Sequence, residues 1–216
     1  MSKNSLVLTL VAGALLIGVP LVQAYATSVG LLRVAWNHDS VTIYIALEKG
    51  VAPSYRNEVI AAFNSWSSAL KAGSGNPSGF NFVFLDQPQS KKRPADIVVT
   101  VKRNTGNVLG STSVSSSGGI IQAVKITLTA YNAMGLPLET CDFRTIARHE
   151  IGHAIGLGHS NDNKVPPLDL MSPTYDFVQI GYDIYSSPLD VGAAIFVYGN
   201  DGFGLPNTSP IPSAYP

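Results

Sequence analysis

The amino-acid sequence predicts an α+β fold: a mixed, twisted sheet with one helix packed on it, then a histidine-bearing helix and a closing C-terminal helix. Three observations carry this. Short β-branched and aromatic runs fill the first half, and one long stretch with apolar residues at helical spacing interrupts them. The second half holds two stretches with helix start and stop residues in place. In 216 residues these make one domain with appendages, large enough to bury a core without cross-links.

At the N-terminus, Lys3 precedes an apolar run from Leu6 to Val22 that closes on Val22-Gln23-Ala24, a small-residue cleavage pattern. Residues 1–24 therefore read as an export signal. A retained membrane anchor is the alternative, weakened by Gly13, Gly18 and Pro20.

Val41 to Glu48 alternates in the manner of a strand. In Pro53 to Gly73, the residues Val59, Phe63, Trp66 and Leu70 recur at spacings of three and four, which predicts a helix lying on a sheet. Phe80 to Leu85, Ile97 to Val101 and Ile120 to Thr129 read as further strands, and Ser111 to Gly119 as a Ser/Gly-rich loop with strand character at its start. Leu109 to Ser113 is either an exposed sheet edge or a plain loop. Asp142 is the expected N-cap of a helix through Ile146, Ile151 and Ile155, ended by Gly156 and Gly158. Ser187-Pro188-Leu189-Asp190 has the form of a capping box opening a helix through Val197, with Gly199 as its stop. Residues 200–216, with four prolines, are expected to form a flexible tail.

The chain carries 14 Lys+Arg and 14 Asp+Glu. Removing residues 1–24 takes away Lys3 and no acid, leaving a net charge of −1. No basic field attracts nucleic acid, so nucleic-acid binding is excluded as a leading function. Cys141 is the single cysteine, so no intramolecular disulfide exists.

Residues 149–159 read HEIGHAIGLGH and hold three of the four histidines. On a helix, His149 and His153 lie about 40° apart in azimuth and one turn apart, so both can address one ion. On an uninterrupted helix His159 would lie about 15 Å beyond His149 and out of reach. Gly156, free to adopt positive φ, can stop the helix and turn the chain back so that His159 joins them. Three imidazoles leave one tetrahedral position open for water, the pattern of a single catalytic zinc. Glu150 points about 100° away from His149 and is placed to act as general base on the metal's water.

The motif matches the H-E-x-x-H-x-x-G-x-x-H signature of the metzincin metallopeptidases, and Ser160 after the third histidine resembles the matrixin branch. Asp169-Leu170-Met171-Ser172-Pro173-Thr174-Tyr175, twelve residues past His159, looks like the matrixin methionine turn. Ser187 to Gly199 resembles the closing helix, with Asp190 at the position of an aspartate that supports that turn. The resemblance spans roughly Trp36 to Gly199. It implies a zincin/metzincin fold, the ligands His149, His153 and His159, Glu150 as general base, a Met-turn at Met171, and Pro173, Thr174 and Tyr175 as a substrate pocket wall. It also implies a metalloendopeptidase (hydrolase) acting on protein or peptide substrates.

Departures from the family are equally readable. Residues 97–148 contain no histidine and only two acids, Glu139 and Asp142, so neither a second, structural zinc nor calcium is expected. Only about ten residues separate the signal from the Trp36 region, so no inhibitory pro-segment is expected either. Tyr175, Tyr182 and Tyr185 could line the pocket or pack on the surface; His38 reads as an ordinary surface residue and Cys141 as an idle thiol. The expected organisation is a signal peptide over 1–24, a catalytic domain over 25–199 and a tail over 200–216. The expected protein is a secreted, monomeric zinc endopeptidase, touching membrane only if the N-terminal segment is retained. The rival reading is a secreted binding or adhesion module that keeps the zinc scaffold without useful catalysis. A zinc hydrolase acting on a non-peptide amide differs from these only in its pocket.

Overall fold

A computed structural model describes residues 26–91, 94–103, 108–132, 134–162, 169–173, 182–204, 206 and 210–216. The export-signal reading of residues 1–24 and the pocket residues Thr174 and Tyr175 lie outside the described residues.

Strand β1 (Val29–Leu31) and β2 (Ser40–Leu47) lead into helix α1 (Ser54–Ser74), then β3 (Asn81–Leu85), β4 (Ile97–Lys102), β5 (Gly110–Ser117) and β6 (Ile120–Thr129). Helix α2 (Thr140–Ala154), β7 (Leu157–Ser160), α3 (Pro188–Tyr198) and β8 (Ala214–Tyr215) complete the chain. The main sheet has the order β3-β2-β4-β6-β5. Its first four strands run parallel, while β5 is antiparallel to β6, so the predicted mixed α+β architecture is the observed one.

Alternation decides which face is covered. Val41, Ile43 and Ile45 of β2, Ile97, Val99 and Val101 of β4, and Val124, Ile126 and Leu128 of β6 are all buried. The α1 stripe is the predicted one: Val59, Phe63, Trp66 and Leu70 have no exposed surface, each contributing about 1.5–3 kcal/mol of transfer free energy. Val59 and Phe63 of α1, Val99, Ile126 and Leu128 of the sheet, and Ala147 and Ile151 of α2 meet at one point. The histidine-bearing helix is thereby seated on the core.

Two segments differ from expectation. Ser111 to Gly119, read mainly as a loop, forms most of a full edge strand, β5. Serine has little strand propensity of its own, but the pairing runs from Gly110↔Leu128 to Ser117↔Ile120. The chain reverses at Gly118 and Gly119, whose φ of 58° and 81° suit a two-residue hairpin turn. Residues 200–216, read as a flexible tail, are anchored where described. Phe203 and Ile211 are buried, and β8 pairs with β1. The prolines rule out a helix there but leave apolar side chains to fill gaps, and Phe203 packs edge-on to Phe80, Phe82 and Tyr198. A small second sheet, ordered β7-β1-β8, results. Among the described residues no helix is long and apolar enough to cross a membrane.

Candidate active site

Helix α2 begins three residues earlier than its acid suggests. Thr140 is its first residue and Glu139 caps it without a side-chain bond, while Asp142 sits in the first turn, where a carboxylate favours the helix dipole. Cys141 is a half-buried free thiol in the same turn. The helix is held by its neighbours' aromatic donors. Trp66 Nε1 donates to the Arg148 carbonyl at 2.8 Å and Trp36 Nε1 to the Ala154 carbonyl at 3.0 Å. Tyr198 Oη donates to the Ile155 carbonyl at 3.0 Å, so carbonyls left orphaned where the helix ends are satisfied.

Just past α2 the chain turns at Gly156 with φ of +96°. A Cβ there would stand 2.5 Å from the Val34 carbonyl oxygen, so conformation and space both require glycine. The turn feeds β7, which carries His159 back beside the helix. His149, His153 and His159 offer ligand atoms that all lie within 4.8 Å of one another, as the spacing predicts.

Protons can be placed by counting. His149 Nδ1 is 2.7 Å from the Leu170 carbonyl and His153 Nδ1 is 2.9 Å from the Leu157 carbonyl. Carbonyls only accept, so each Nδ1 bears the hydrogen and donates it, and each Nε2 presents a lone pair. The two Nε2 atoms face one another at 3.1 Å with no proton to share. Two nitrogens on one tetrahedral zinc at about 2.0–2.1 Å would stand roughly 3.3 Å apart, so the donor set fits that ion. Burial, with His153 close by, pushes the His149 imidazole down to about 3, and burial lowers His153 and His159 too. All three are neutral at physiological pH, the form a metal binds.

Glu150 is 6% exposed and does not point with the histidines into one ligand set. Burial pushes its carboxyl up to about 7, against a hydrogen bond from Thr112 that pulls it down. Together with the three histidines it lines a cleft of about 380 Å³, bordered by Gly110 and Thr112 of β5 and by Pro173. An edge strand does border the cleft, which resolves the two readings of Leu109 to Ser113 in favour of the sheet edge.

Met171 is fully buried beneath α2. A Cβ on Gly152 would stand 2.4 Å from its Sδ, so the glycine of the motif makes room for the methionine. The turn is fixed by Asp169, whose Oδ1 accepts from Met171 N at 2.9 Å, and by Ser160 N donating to the Met171 carbonyl at 2.7 Å. Helix α3 opens with the predicted capping box, Ser187 with Asp190. The Ser187 hydroxyl lies 3.2 Å from Asp169 Oδ2 and 3.0 Å from Asp190 Oδ2, joining α3 to the turn. Burial and the Asp169 charge push Asp190 up to about 7.

Sequence reasoning missed Thr112 and an ion cluster behind the site. Arg144 donates through Nε and Nη2 to Asp183 at 2.9 and 2.7 Å, and through Nη1 to Glu58 at 2.8 Å. Arg148 Nη1 adds a 2.8 Å bond to Asp183, with Tyr185 stacked over its guanidinium. Arg144 and Arg148 at i and i+4 were the readable signal, with Asp183 too distant in sequence to assign. Tyr182 and Tyr185 are exposed, outside the cleft, and His38 bonds the Ser40 carbonyl away from the site.

The family profile that matches this chain is that of the matrixins, over residues 35–184. The chain belongs to the matrixin family. Matrix metalloproteinase-16 of human and of mouse each share 26% identity with it over 193 residues, 82% of this chain and 30% of theirs. This matrixin therefore spans under a third of the length of those curated relatives. Among solved structures, High choriolytic enzyme 1, a hatching-enzyme zinc protease from the medaka Oryzias latipes, aligns at 13% identity and a TM-score of 0.42. That alignment covers 76% of this matrixin and 92% of the medaka chain.

Proposed function

We propose that this matrixin is a secreted, monomeric zinc endopeptidase that hydrolyses peptide bonds in protein or peptide substrates. One observation carries the reading: two bare Nε2 atoms 3.1 Å apart, a third imidazole brought back by a glycine turn, and a buried carboxyl in the same cleft. His149, His153 and His159 would hold one zinc. When bound, the ion supplies a Lewis acid that acidifies water and polarises a carbonyl. Glu150 acts as general base, taking a proton from the attacking water and returning it to the leaving nitrogen. Its raised pKa suits both steps near neutral pH. Pro173 borders the cleft, the family resemblance assigns Thr174 and Tyr175 to the same substrate pocket, and β5 offers an edge along which an extended peptide can pair. Secretion rests on residues 1–24 as a cleaved signal, ahead of a catalytic domain over 25–199.

The test is peptide cleavage by purified protein whose zinc content has been measured. One zinc per chain and chelator-sensitive cleavage are expected. A fully loaded protein that cleaves no peptide in a broad library would sink the peptidase reading in favour of a zinc-scaffold binding module.

A further inference from the structure

Thr112 stands on the edge strand β5, and meets Glu150 only because the register sets Thr112 opposite Ile126 on β6. Its Oγ1 lies 2.6 Å from Glu150 Oε2 and 3.0 Å from the main-chain oxygen of the same residue. Two residues back on the same face, Gly110 leaves the space the carboxyl fills. A Cβ there would stand 2.6 Å from Glu150 Oε1 and 2.8 Å from its Cγ. The strand thus presents a notch and a peg to one side chain.

A hydroxyl has one proton and two lone pairs, so Thr112 can donate to one of its two oxygen neighbours at a time. We propose that Thr112 is a positioning residue for Glu150, holding its carboxyl group still in both protonation states that a base-then-acid cycle requires. With Glu150 ionised, Thr112 donates to Oε2 at the length of a charge-assisted bond. A carboxyl protonated on Oε1 still accepts from Thr112 at Oε2. If the proton sits on Oε2, that O–H donates to Oγ1 and Thr112 turns its own proton to the Glu150 carbonyl. In every case the side chain keeps one bond to β5 and leaves Oε1 for the reacting water. A backbone N–H in this position could serve only the first two states.

This inference rests on the peptidase reading, and its test separates the two. Thr112→Val preserves shape and removes the hydroxyl; Thr112→Ala does so without filling the space, and Thr112→Ser restores the hydroxyl. In zinc-loaded protein, Val and Ala should lower kcat by roughly 10–100-fold, the worth of one bond to a charged group, with KM changed less than about twofold. Ser should recover most of that loss, and zinc content should stay at the wild-type level in all three. An unchanged kcat in Val, or a Ser variant as slow as Val, overturns the proposal. Wild-type protein that cleaves nothing at full occupancy overturns the peptidase reading instead. Crystal structures still test the contact in that event. Glu150 should be displaced or spread over several rotamers in Thr112→Val, and a single unchanged rotamer counts against a positioning role.

Discussion

His149 and His153 stand on a fifteen-residue helix with each Nδ1 bonded to a main-chain carbonyl. His159 arrives on the four-residue strand β7, is the most exposed of the three though its ring is partly covered, and has no hydrogen bond to that ring among the described residues. The helix side is fixed by the core: Trp66, Trp36 and Tyr198 each donate to a carbonyl in or just past its last two turns. The strand side is fixed by the small sheet and by Ser160 bonding to the methionine turn. The difference teaches that two of the proposed ligands come with the fold, while the proposed third depends on chain segments far apart in sequence meeting around β7.

The largest effect should come from chemistry on the helix side alone. Glu150→Gln keeps shape and helix propensity but cannot accept the water's proton, so turnover should fall by about 10²–10⁴-fold while zinc stays bound. Metal analysis beside the kinetics checks this; zinc loss on the scale of a ligand mutant would make Glu150 a ligand or its support.

Next is the third ligand. Dividing roughly 10–16 kcal/mol of zinc binding among four positions gives about 3 kcal/mol each, so His159→Ala should weaken retention about a hundredfold. Because the helix pair remains, millimolar zinc should recover part of the activity, which it cannot do for Glu150→Gln. Equal insensitivity of the two variants to added zinc would erase the distinction between the sides.

A smaller effect should follow from loosening β7 without touching a ligand. Asn161 Oδ1 accepts from Thr27 N at 2.9 Å and Ser28 N at 3.2 Å, tying the chain before β1 to the end of β7. Asn161→Ala loses these bonds at an exposed site, each worth about 0.5–1.5 kcal/mol. Zinc release to a chelator should quicken by up to roughly tenfold, with Tm lowered by about 2–4 °C for each kcal/mol lost. A stopped-flow trace identical to wild type would show that β7 is rigid without that clamp.

The smallest effect is on pH dependence, at the join between the strand-side turn and α3. Asp190 is pushed up to about 7 in the folded protein, above its ordinary carboxyl value. The folded state then holds a proton that the unfolded chain gives up. Its stabilisation is full below about pH 4 and is lost as pH rises through about 7. Asp190→Asn should flatten thermal stability across that window, and a slope equal to wild type would place the titration elsewhere.

The parts of the site written in local sequence were legible: the four-residue histidine spacing, the glycine that turns the chain, the Ser187–Asp190 cap and the α1 stripe. Each depends on residues within one or two turns of one another. What escaped depends on register. β1, β7 and β8 are two to four residues long, too short for alternation to register, and exist through pairing with one another. The serines of β5 carry a loop's composition in a strand's place, and its partner β6 decides the matter. Thr112 was hidden for the same reason, since nothing local links it to a glutamate thirty-eight residues on.

Within the small sheet, Val29 is the register partner of Tyr215, and Gly30 of Ala214. Antiparallel partners have Cα atoms about 4.5–5.5 Å apart, so a linker of a few residues between positions 216 and 26 could splice the backbone into a ring. Such a ring would remove up to about 5 kcal/mol of chain entropy from the denatured state, as long cross-links do. It would also hold β1, the strand on which the His159-bearing β7 pairs, from its other edge through β8. Conversely, a bulky fusion placed flush against either of these segments would pull on β1, the pairing partner of β7, so tags belong on long spacers.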